Sequence, residues 1–555
     1  MNKYALGADF GTESVRVALI DTCTGEMVGN SVVNYRHGVI REHMPDSYGG
    51  AELKPGRILQ HPGDYIESFV EATSTVLQKT GVKGKDVVGA ALDGTACTML
   101  FVDADGRPLC YQEEFRNNPH AYAKLWADHA SQKEANEIDE AARKSGETGE
   151  YVLFNYGGML SNPEWFAPKF LNTFREAPEV VHSAHGAMHL IDYLTMSLTG
   201  KRGASISTAG FKGMYTERGF PPQELFGKID PEFARLFYEK TVMTPLYRMG
   251  ERWGELTKEM ADQTGLVAGT PIGVPIIDAH TAIHALGASE PGIMVAAMGT
   301  STCEEVLSRD RKCVEGMCGV VKDGITPELY AYEFGQANVG SLIDWYVNNL
   351  VSEKYMQEAR QRGMDIHVYL EEKASALRAG ESGIITPPWF SNVRALGRSD
   401  LAGAMLGLRL DTKPEQVYLA LIESTAYELK GLIESCKAEG MDVNELRACG
   451  GISEKNRLFM QTYADIIGMP IRTSSTPHAS ARGAAILAAV AAGDSRGRRG
   501  IEEAMERMAD LSGESYDPRP ENSAVYGELY RDGYREWCRL VLGAQSVTGV
   551  LNKHK

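Results

Sequence analysis

The chain has 555 residues, 43% of them hydrophobic, and a formal net charge of −17 from 57 basic and 74 acidic side chains. That length can bury two or more cores, and the acidic balance argues against nucleic acid or an anionic membrane as the main partner. No segment approaches the ~20 apolar residues of a membrane span, and Asp9 lies where a signal peptide would be apolar. The nine cysteines are scattered, which is typical of free thiols in a reducing compartment. We therefore predict a soluble cytoplasmic protein.

The chain begins with two apolar runs on either side of a polar turn. Residues 4–8 and 15–21 are patterned as buried strands, which predicts a hairpin. Backbone N–H groups and hydroxyls in its turn can cradle a phosphate. Asp9, at the end of the first strand, is placed to hold Mg²⁺ through water. An ordinary hairpin with a polar turn is the alternative. The ATP-binding residues predicted in this turn are Gly11, Thr12, Glu13 and Ser14.

Further elements follow along the first half of the chain. The predicted elements are a helix over 64–79 closed by Gly81, strands over 87–93 and 98–102, a charged helical stretch over 112–150, an apolar strand over 273–278 and a short helix to 287. Asp278 ends the last strand, where a carboxylate either caps the next helix or accepts a hydroxyl proton from a substrate. His280 and His284 form an H-x-x-x-H pair. Because the Glu of H-E-x-x-H is missing and no third ligand is evident, no zinc site is predicted.

Residues 292–307 repeat the plan of the first hairpin, with an apolar strand, a Gly-Thr-Ser-Thr turn and a second strand. The second copy has Ala297 and Met298 where the first has Asp9 and Phe10, so metal binding is expected in the first copy. Two such turns predict a duplicated domain whose halves face one nucleotide across a cleft. The chain has no G-x-x-x-x-G-K-[ST] motif, which excludes a P-loop. The predicted fold is α/β, with two actin-like (ribonuclease H-like) ATPase lobes. The ATP-binding residues predicted in the second turn are Gly299, Thr300 and Ser301.

The second half continues with alternating strands and helices. The predicted elements are a helix over 412–438 with a capping box and a Pro in its first turn, a strand over 446–449, a helix capped by Ser453 that ends at Gly468, and a small-residue helix over 479–492. Gly450 and Gly451 join the strand to its helix, which would let an adenosine approach the backbone; a plain turn is the alternative. We place a boundary at 288–292. The predicted parts are a first lobe (1–287), a second lobe (292–494) and a C-terminal extension (495–555) that is charged and helical.

Together these motifs resemble the FGGY family of carbohydrate kinases over essentially the whole chain. The resemblance rests on the N-terminal hairpin, Asp278, the Gly-Thr-Ser-Thr turn and the Gly-Gly pair, and on a C-terminal signature at 403–408 and 416–423. The family's N-terminal signature is looser around 165–173. The resemblance implies a kinase that uses ATP and Mg²⁺. It implies that Asp9 and Asp278 hold the metal. The residues it implies near adenosine are Gly450, Gly451 and Asn456.

Three segments resemble the branch of this family that acts on ribulose: residues 92–98, residues 207–214 with an Ala-Gly-x-Lys sequence, and residues 332–336. The resemblance implies phosphorylation of L-ribulose, with D-ribulose as a further substrate, at the C5 hydroxyl in arabinose catabolism. Asp278 would be the base at that hydroxyl. The residues implied to surround the sugar are Ala96, Lys212, Asp278 and Glu333. Without the resemblance, Lys212 and Glu333 would each be interpreted as surface charges.

Two alternative functions stay open. Another FGGY kinase, acting on D-ribulose, xylulose or glycerol, would share everything except the residues on the sugar side. An actin-like or chaperone-like protein would use the same fold for assembly or client binding, and would hydrolyse ATP without any sugar. The sequence leaves the oligomeric state open, a homodimer included.

Overall fold

The computed structural model describes residues 3–241, 245–391, 393–396, 401–544, 547 and 549–550. Residues 1–2 of the predicted first lobe and 551–555 of the predicted extension lie outside it. The elements of the first lobe are β1 (Tyr4–Phe10), β2 (Ser14–Asp21), β3 (Met27–Asn34), β4 (Leu59–Gln60), α1 (Pro62–Thr80), β5 (Val87–Gly94), β6 (Met99–Val102), β7 (Ala123–Lys124), α2 (Gln132–Arg143), α3 (Gly146–Phe154), α4 (Phe166–Glu176), α5 (Pro178–Ser183), β8 (Gly186–His189), α6 (Leu190–Thr199), β9 (Ala204–Ser205), α7 (Ile206–Phe211), α8 (Gln223–Gly227), α9 (Pro231–Thr241), β10 (Leu246–Tyr247), β11 (Arg252–Glu255), α10 (Lys258–Thr264), β12 (Pro271–Gly273), β13 (Ile276–Ile277) and α11 (Thr281–Ala285).

The second lobe and the extension continue the alternation. Their elements are β14 (Gly292–Met298), β15 (Thr302–Ser308), β16 (Gly319–Lys322), β17 (Tyr330–Gln336), α12 (Gly340–Leu350), α13 (Glu353–Gln361), α14 (Ile366–Ala374), α15 (Pro414–Ala438), β18 (Val443–Cys449), α16 (Gly451–Lys455), α17 (Arg457–Ile467), β19 (Ile471–Thr473), α18 (Ala479–Ala492), α19 (Gly497–Met508), β20 (Ser515–Tyr516), α20 (Pro520–Glu528) and α21 (Arg535–Gly543). A π-helical segment, Leu529–Tyr534, joins the last two helices. Within the described residues, no helix combines the length and apolarity that crossing a bilayer requires.

Each lobe is built on a seven-stranded sheet. The first sheet has the order β11-β12-β5-β1-β2-β3, with β13 beside β5, and the second has the order β16-β17-β15-β14-β18-β19-β20. In both sheets, the first strand of an antiparallel hairpin also pairs with a parallel strand. In the hairpin β1–β2 the strand β1 pairs with β5, and in the hairpin β14–β15 the strand β14 pairs with β18. The parallel registers slip at equivalent places, after Tyr4 and after Gly292. The predicted two-lobed α/β fold and its repeated hairpin are therefore confirmed.

Helix α18 belongs by sequence to the predicted second lobe, yet it packs on β1 and β5 of the first sheet. Its residues are mostly alanine, and the helix comes so close that a Cβ on Gly7 would lie 1.8 Å from the Ala481 carbonyl oxygen. Small side chains on both sides are what permit this approach. Its limits, Ala479–Ala492, coincide with the predicted helix over 479–492. The last part of the chain thus braces the sheet that carries the first hairpin.

Three predicted elements need correction. The stretch 112–150 is helical only from Gln132 onwards; before it lie short 3₁₀ turns and β7. The strand predicted over 273–278 is two short strands, β12 and β13, because Pro275 lacks the N–H that a continuous ladder needs. The helix cap predicted at Ser453 is also wrong. The long helix there begins at Arg457, and the side chain of Asn456 caps it by accepting a hydrogen bond from the Phe459 N–H at 2.8 Å.

Among the buried acids outside the candidate site, one has a strongly raised pKa and two side-chain partners. Glu423, on α15, accepts hydrogen bonds from the Ser382 hydroxyl at 2.8 Å and from the Tyr526 hydroxyl at 3.0 Å. Burial raises its pKa to about 7, against an ordinary value of 4.5, although both hydrogen bonds act in the opposite direction. Folding therefore favours the protonated form of this carboxyl.

Candidate active site

Three carboxylates meet at one edge of the first sheet. Asp9 is the last residue but one of β1, and Asp93 lies opposite it on the parallel strand β5. Strand β13 also pairs with β5, so Asp278 follows at the same edge. Both oxygens of Asp93 are buried without a hydrogen-bonding partner in the described part of the chain. Burial, followed by the charges of Asp9 and Asp278, raises the pKa of Asp93 well above its ordinary value. The cation nearest this group is Arg16, whose guanidinium lies 2.9 Å from Asp9.

The binding of a divalent cation here stays a prediction, because the oxygens of the three acids do not all lie within 4.8 Å of one another. Carboxylate oxygens are the ligands that Mg²⁺ prefers, and an unpartnered buried carboxylate such as Asp93 is costly without one. Burial and then the charge of Asp9 raise the pKa of Asp278 to about 7. Asp278 accepts a hydrogen bond from the adjacent Ala279 N–H at 2.8 Å. An N-cap would accept from the second or third helical residue, and α11 begins only at Thr281, so capping does not account for this acid.

The two predicted phosphate turns are each closed by a backbone hydrogen bond, but the turns differ in length. In the first, the Gly11 N–H donates to the Ser14 carbonyl at 3.0 Å, and in the second the Gly299 N–H donates to the Ser301 carbonyl at 3.0 Å. Thr300 lies in the second turn, where its carbonyl accepts a hydrogen bond from the Ser341 N–H at 3.0 Å. The second turn is one residue shorter than the first, and phosphate binding by either turn stays a prediction.

Neighbouring side chains hold the first turn at Thr12. The Trp126 indole N–H donates to the Thr12 hydroxyl at 3.0 Å, and the Gln60 amide donates to the Thr12 carbonyl at 2.6 Å. The Tyr65 hydroxyl in turn donates to Gln60 at 2.5 Å. Glu13, the next residue, is exposed, and its carbonyl accepts the Tyr35 N–H at 3.0 Å. The turn is thus fixed from both sides before any ligand arrives.

The predicted adenosine residues lie where β18 ends beside β14. Gly450 has a φ of 98°, and a Cβ there would lie 2.4 Å from the Met298 carbonyl oxygen. Only glycine fits such a position. Gly451 has open space around it. The Asn456 side-chain oxygen caps α17, and its side-chain NH₂ group donates a hydrogen bond to the Tyr418 hydroxyl at 3.2 Å. None of the three lines the cavity described next, so their contact with adenosine stays a prediction.

A cavity of about 300 Å³ lies between the lobes, beside the two phosphate turns. It brings together all four residues predicted to surround the sugar, and it reaches one residue of each phosphate turn. Its size is at the lower end of the range for small-molecule sites. The lining residues that had been predicted are Ala96, Lys212, Asp278, Glu333, Thr12 and Ser301.

Lys212 and Glu333 form a buried ion pair across the lobes. The Lys212 ammonium donates to the two carboxylate oxygens of Glu333 at 2.6 and 2.9 Å, and the His280 ring donates to the same carboxylate at 2.9 Å. Burial alone would raise the pKa of Glu333, but Lys212 and His280 hold it below its ordinary value. Burial would lower the pKa of Lys212, and Glu333 raises it above its ordinary value instead. The interpretation of these two residues as surface charges is therefore wrong.

Sequence reasoning missed several residues that line the cavity, along with the carboxylate of Asp93. Glu164 accepts a hydrogen bond from the His129 ring at 3.0 Å, and Arg394 packs its side chain against Gly335. The position of Asp93 near the end of a strand, like that of Asp9, could have identified it as a candidate site residue. Glu164 and Arg394 lie outside α-helices and strands, where the sequence gives no such indication. The missed lining residues are Thr95, Cys97, Trp126, Asn162, Glu164, Trp165, Ile277, Ala279, Ala297, Cys303, Cys318, Arg394 and Ser480.

Relatives of known name match nearly the whole chain. The ribulokinase of Geobacillus thermodenitrificans is 42% identical over 533 residues, which cover 96% of this chain and 93% of the relative. The ribulokinase of Mycolicibacterium smegmatis is 39% identical over 529 residues, which cover 95% of this chain and 92% of the relative. The solved xylulose kinase of Rhodospirillum rubrum superposes with a TM-score of 0.79 at 21% identity, covering 99% of this chain and 100% of that one. At 21% identity, this structural similarity supports the fold alone.

The family models agree with these matches. The N-terminal domain of the FGGY family of carbohydrate kinases matches residues 4–285, and the C-terminal domain matches residues 294–492. The two matches meet near the predicted boundary and leave the last helices of the chain outside. With both domains matched, the chain belongs to the FGGY family of carbohydrate kinases.

Proposed function

We propose that this kinase transfers the γ-phosphoryl group of ATP to the C5 hydroxyl of L-ribulose. One observation carries the proposal: the cavity that holds Ala96, Lys212, Asp278 and Glu333 opens onto Thr12 of the first phosphate turn and Ser301 of the second. A sugar hydroxyl and a nucleotide phosphate would therefore meet at Asp278. The name ribulokinase, shared by relatives that are 39–42% identical, supports ribulose as the sugar.

Lys212 and Glu333 would recognise the sugar as a paired donor and acceptor. The ammonium has one further hydrogen to donate beyond its two bonds to Glu333, and each carboxylate oxygen has lone pairs left over. Because His280 and Lys212 already orient the carboxylate, little side-chain freedom is lost when a polyol binds. The pair joins residues from both lobes, so the sugar would be held where the lobes meet.

Asp278 would position the C5 hydroxyl and accept its proton as the hydroxyl attacks in line. A pKa of about 7 leaves a large fraction of Asp278 ionised at neutral pH, which suffices for a reaction carried mainly by positioning and charge neutralisation. Asp9, Asp93 and Asp278 would hold Mg²⁺, which when bound supplies neutralisation of phosphate charge. Backbone N–H groups in the two turns would bind the phosphate oxygens. The location of the cavity between the lobes would keep water from the phosphoryl group.

The test is ADP release from the full chain with Mg-ATP and, separately, L-ribulose, D-ribulose, D-xylulose, glycerol or no sugar. Turnover should be fastest with L-ribulose, and Asp278→Asn should lower kcat by about 10²–10⁴-fold. Asp262→Asn, which removes an exposed acid on α10, is the control and should leave kcat unchanged. A clear preference for xylulose or glycerol would contradict the proposed substrate. ATP hydrolysis that is independent of sugar would contradict the kinase reaction itself.

A further inference from the structure

Directly behind the sugar cavity lies a group of three side chains that commonly bind metals. His280, just before α11, and Cys303 and Glu305, both on β15, place potential ligand atoms within 4.8 Å of one another. Cys303 and Glu305 are two residues apart on a strand and so share a face. His280 and Glu305 are 0% exposed, whereas Cys303 lines the cavity. The group is thus enclosed by protein but has one side towards the cavity.

Two of these side chains carry polar atoms without partners. Both carboxylate oxygens of Glu305 and the Nδ1 atom of His280 are buried, with no hydrogen-bonding partner in the described part of the chain. Among its neighbours, the Cys303 thiol is at best a weak donor, and Glu333, opposite Glu305 on β17, carries a carboxylate that cannot donate. An ionised carboxylate in this environment is costly unless a cation neutralises it. Glu305 therefore either keeps its proton or meets a cation.

His280 is oriented as a metal ligand would be. Its Nε2–H donates to the carboxylate of Glu333 at 2.9 Å, and the ion pair with Lys212 keeps that carboxylate charged. A charged carboxylate can only accept, so the hydrogen is on Nε2 and Nδ1 carries a lone pair. Histidines that bind metals usually donate their other ring N–H to a carboxylate in this way.

We propose that His280 Nδ1, Cys303 Sγ and the Glu305 carboxylate bind a zinc ion, with a fourth coordination position open towards the sugar cavity. The mixed nitrogen, sulfur and oxygen ligands suit Zn²⁺, whereas Mg²⁺ prefers oxygen alone. One thiolate and one carboxylate neutralise the charge of the ion. A tetrahedral site needs ligand atoms about 3.5 Å apart, so any pair near the 4.8 Å limit must come about 1 Å closer through side-chain adjustment. The proposal does not depend on which sugar the enzyme phosphorylates.

Two nearby arrangements differ from this group. His284, the second member of the H-x-x-x-H pair, donates its Nε2–H to the Ile325 carbonyl at 3.2 Å and is not among the three. His37, His61 and Asp64 also cluster, but His37 donates to Asp64 at 2.7 Å, and His61 Nδ1 accepts the N–H of Gly63. The Asp64 oxygens, His37 Nδ1 and His61 Nδ1 are thus hydrogen-bonded, whereas His280 Nδ1 and both oxygens of Glu305 are not.

The test is the zinc content of the full chain, produced in zinc-supplemented medium, freed of any affinity tag and dialysed against metal-free buffer. Mass spectrometry of the metal should find about one zinc ion per chain, bound by these three ligands. Cys303→Ser and Glu305→Gln should each lose most of it. Glu304→Gln is the matched control, because Glu304 is equally buried and unpartnered but points to the opposite face of β15.

Cobalt provides a second measurement. After zinc is removed by chelation, Co²⁺ should give a thiolate-to-metal absorption band in the wild type and in Glu304→Gln, and no such band in Cys303→Ser. Circular dichroism of each variant establishes that it is folded; if Cys303→Ser is not, Glu305→Gln decides by its zinc content. Wild-type protein that holds no more zinc than the variants, or cobalt spectra without a thiolate band, would overturn the proposal and leave Glu305 as a protonated acid.

Discussion

The buried pair Lys212–Glu333 gives the sharpest prediction about the site. Its bonds of 2.6 and 2.9 Å join the two lobes, and both side chains are at most 10% exposed. Lys212→Met leaves the carboxylate of Glu333 with His280 alone, and Glu333→Gln leaves a buried ammonium without its counter-charge. Removing one partner of a buried ion pair costs about 3–5 kcal/mol. Replacing both removes two desolvated charges, so the double variant should lose less stability than the two single variants combined.

The assay is thermal unfolding of the wild type, the two single variants and the double variant Lys212→Met/Glu333→Gln. At about 2 °C per kcal/mol for lobes of this size, each single variant should melt roughly 6–10 °C lower. The double variant should show a coupling of at least about 2 kcal/mol. All three should lose ribulose binding in calorimetry, because the paired donor and acceptor are gone. Single variants that melt with the wild type, or strictly additive losses, would refute the claim that this pair is buried and charged.

Three further predictions follow from the described contacts. Because its raised pKa makes Glu423 lose its stabilising proton as pH rises from 4.5 to about 7, the wild type loses stability over that range. Glu423→Gln should therefore be no more stable than the wild type near pH 4.5, and more stable by up to about 3 kcal/mol at pH 8. Urea unfolding at both pH values measures this difference, and an equal gain in stability at both would contradict it. Gly450→Ala should lower the free energy of unfolding by at least about 2 kcal/mol, since it places a side chain at a positive φ and against a carbonyl oxygen. Gly451→Ala, the control, should leave stability unchanged and raise the KM for ATP. Equal melting temperatures for the two variants would contradict the crowding at Gly450. Trp126→Phe keeps the ring but removes the donor to Thr12, so kcat/KM for ATP should fall about two- to tenfold, and an unchanged value would show that this hydrogen bond does not position the turn.

Much of the secondary structure and part of the site could be predicted from the sequence. The alternation of apolar and polar residues, and the glycines that end helices, are local signals, so α18 was predicted with its observed limits and α1 to within two residues. The repeated hairpin could also be predicted, because each copy contains its strand–turn–strand pattern within a short segment. The resemblance to the FGGY family then identified the four residues that the structure brings together around one cavity.

Only the tertiary structure decided which distant groups meet. Lys212 and Glu333 are 121 residues apart, and nothing local to either one indicates that each is the partner of the other. Asp93 joins Asp9 because of the register of two parallel strands, and no alternation within either strand specifies that register. His280 lies near Cys303 and Glu305 only because the two lobes pack together. A sequence search confined to the H-x-x-x-H pair therefore could not find these two further side chains. Helices and strands can be predicted locally, because the spacing of apolar residues that defines them lies within a short segment. A site assembled from several elements depends on how those elements pack, and the local sequence does not contain that information.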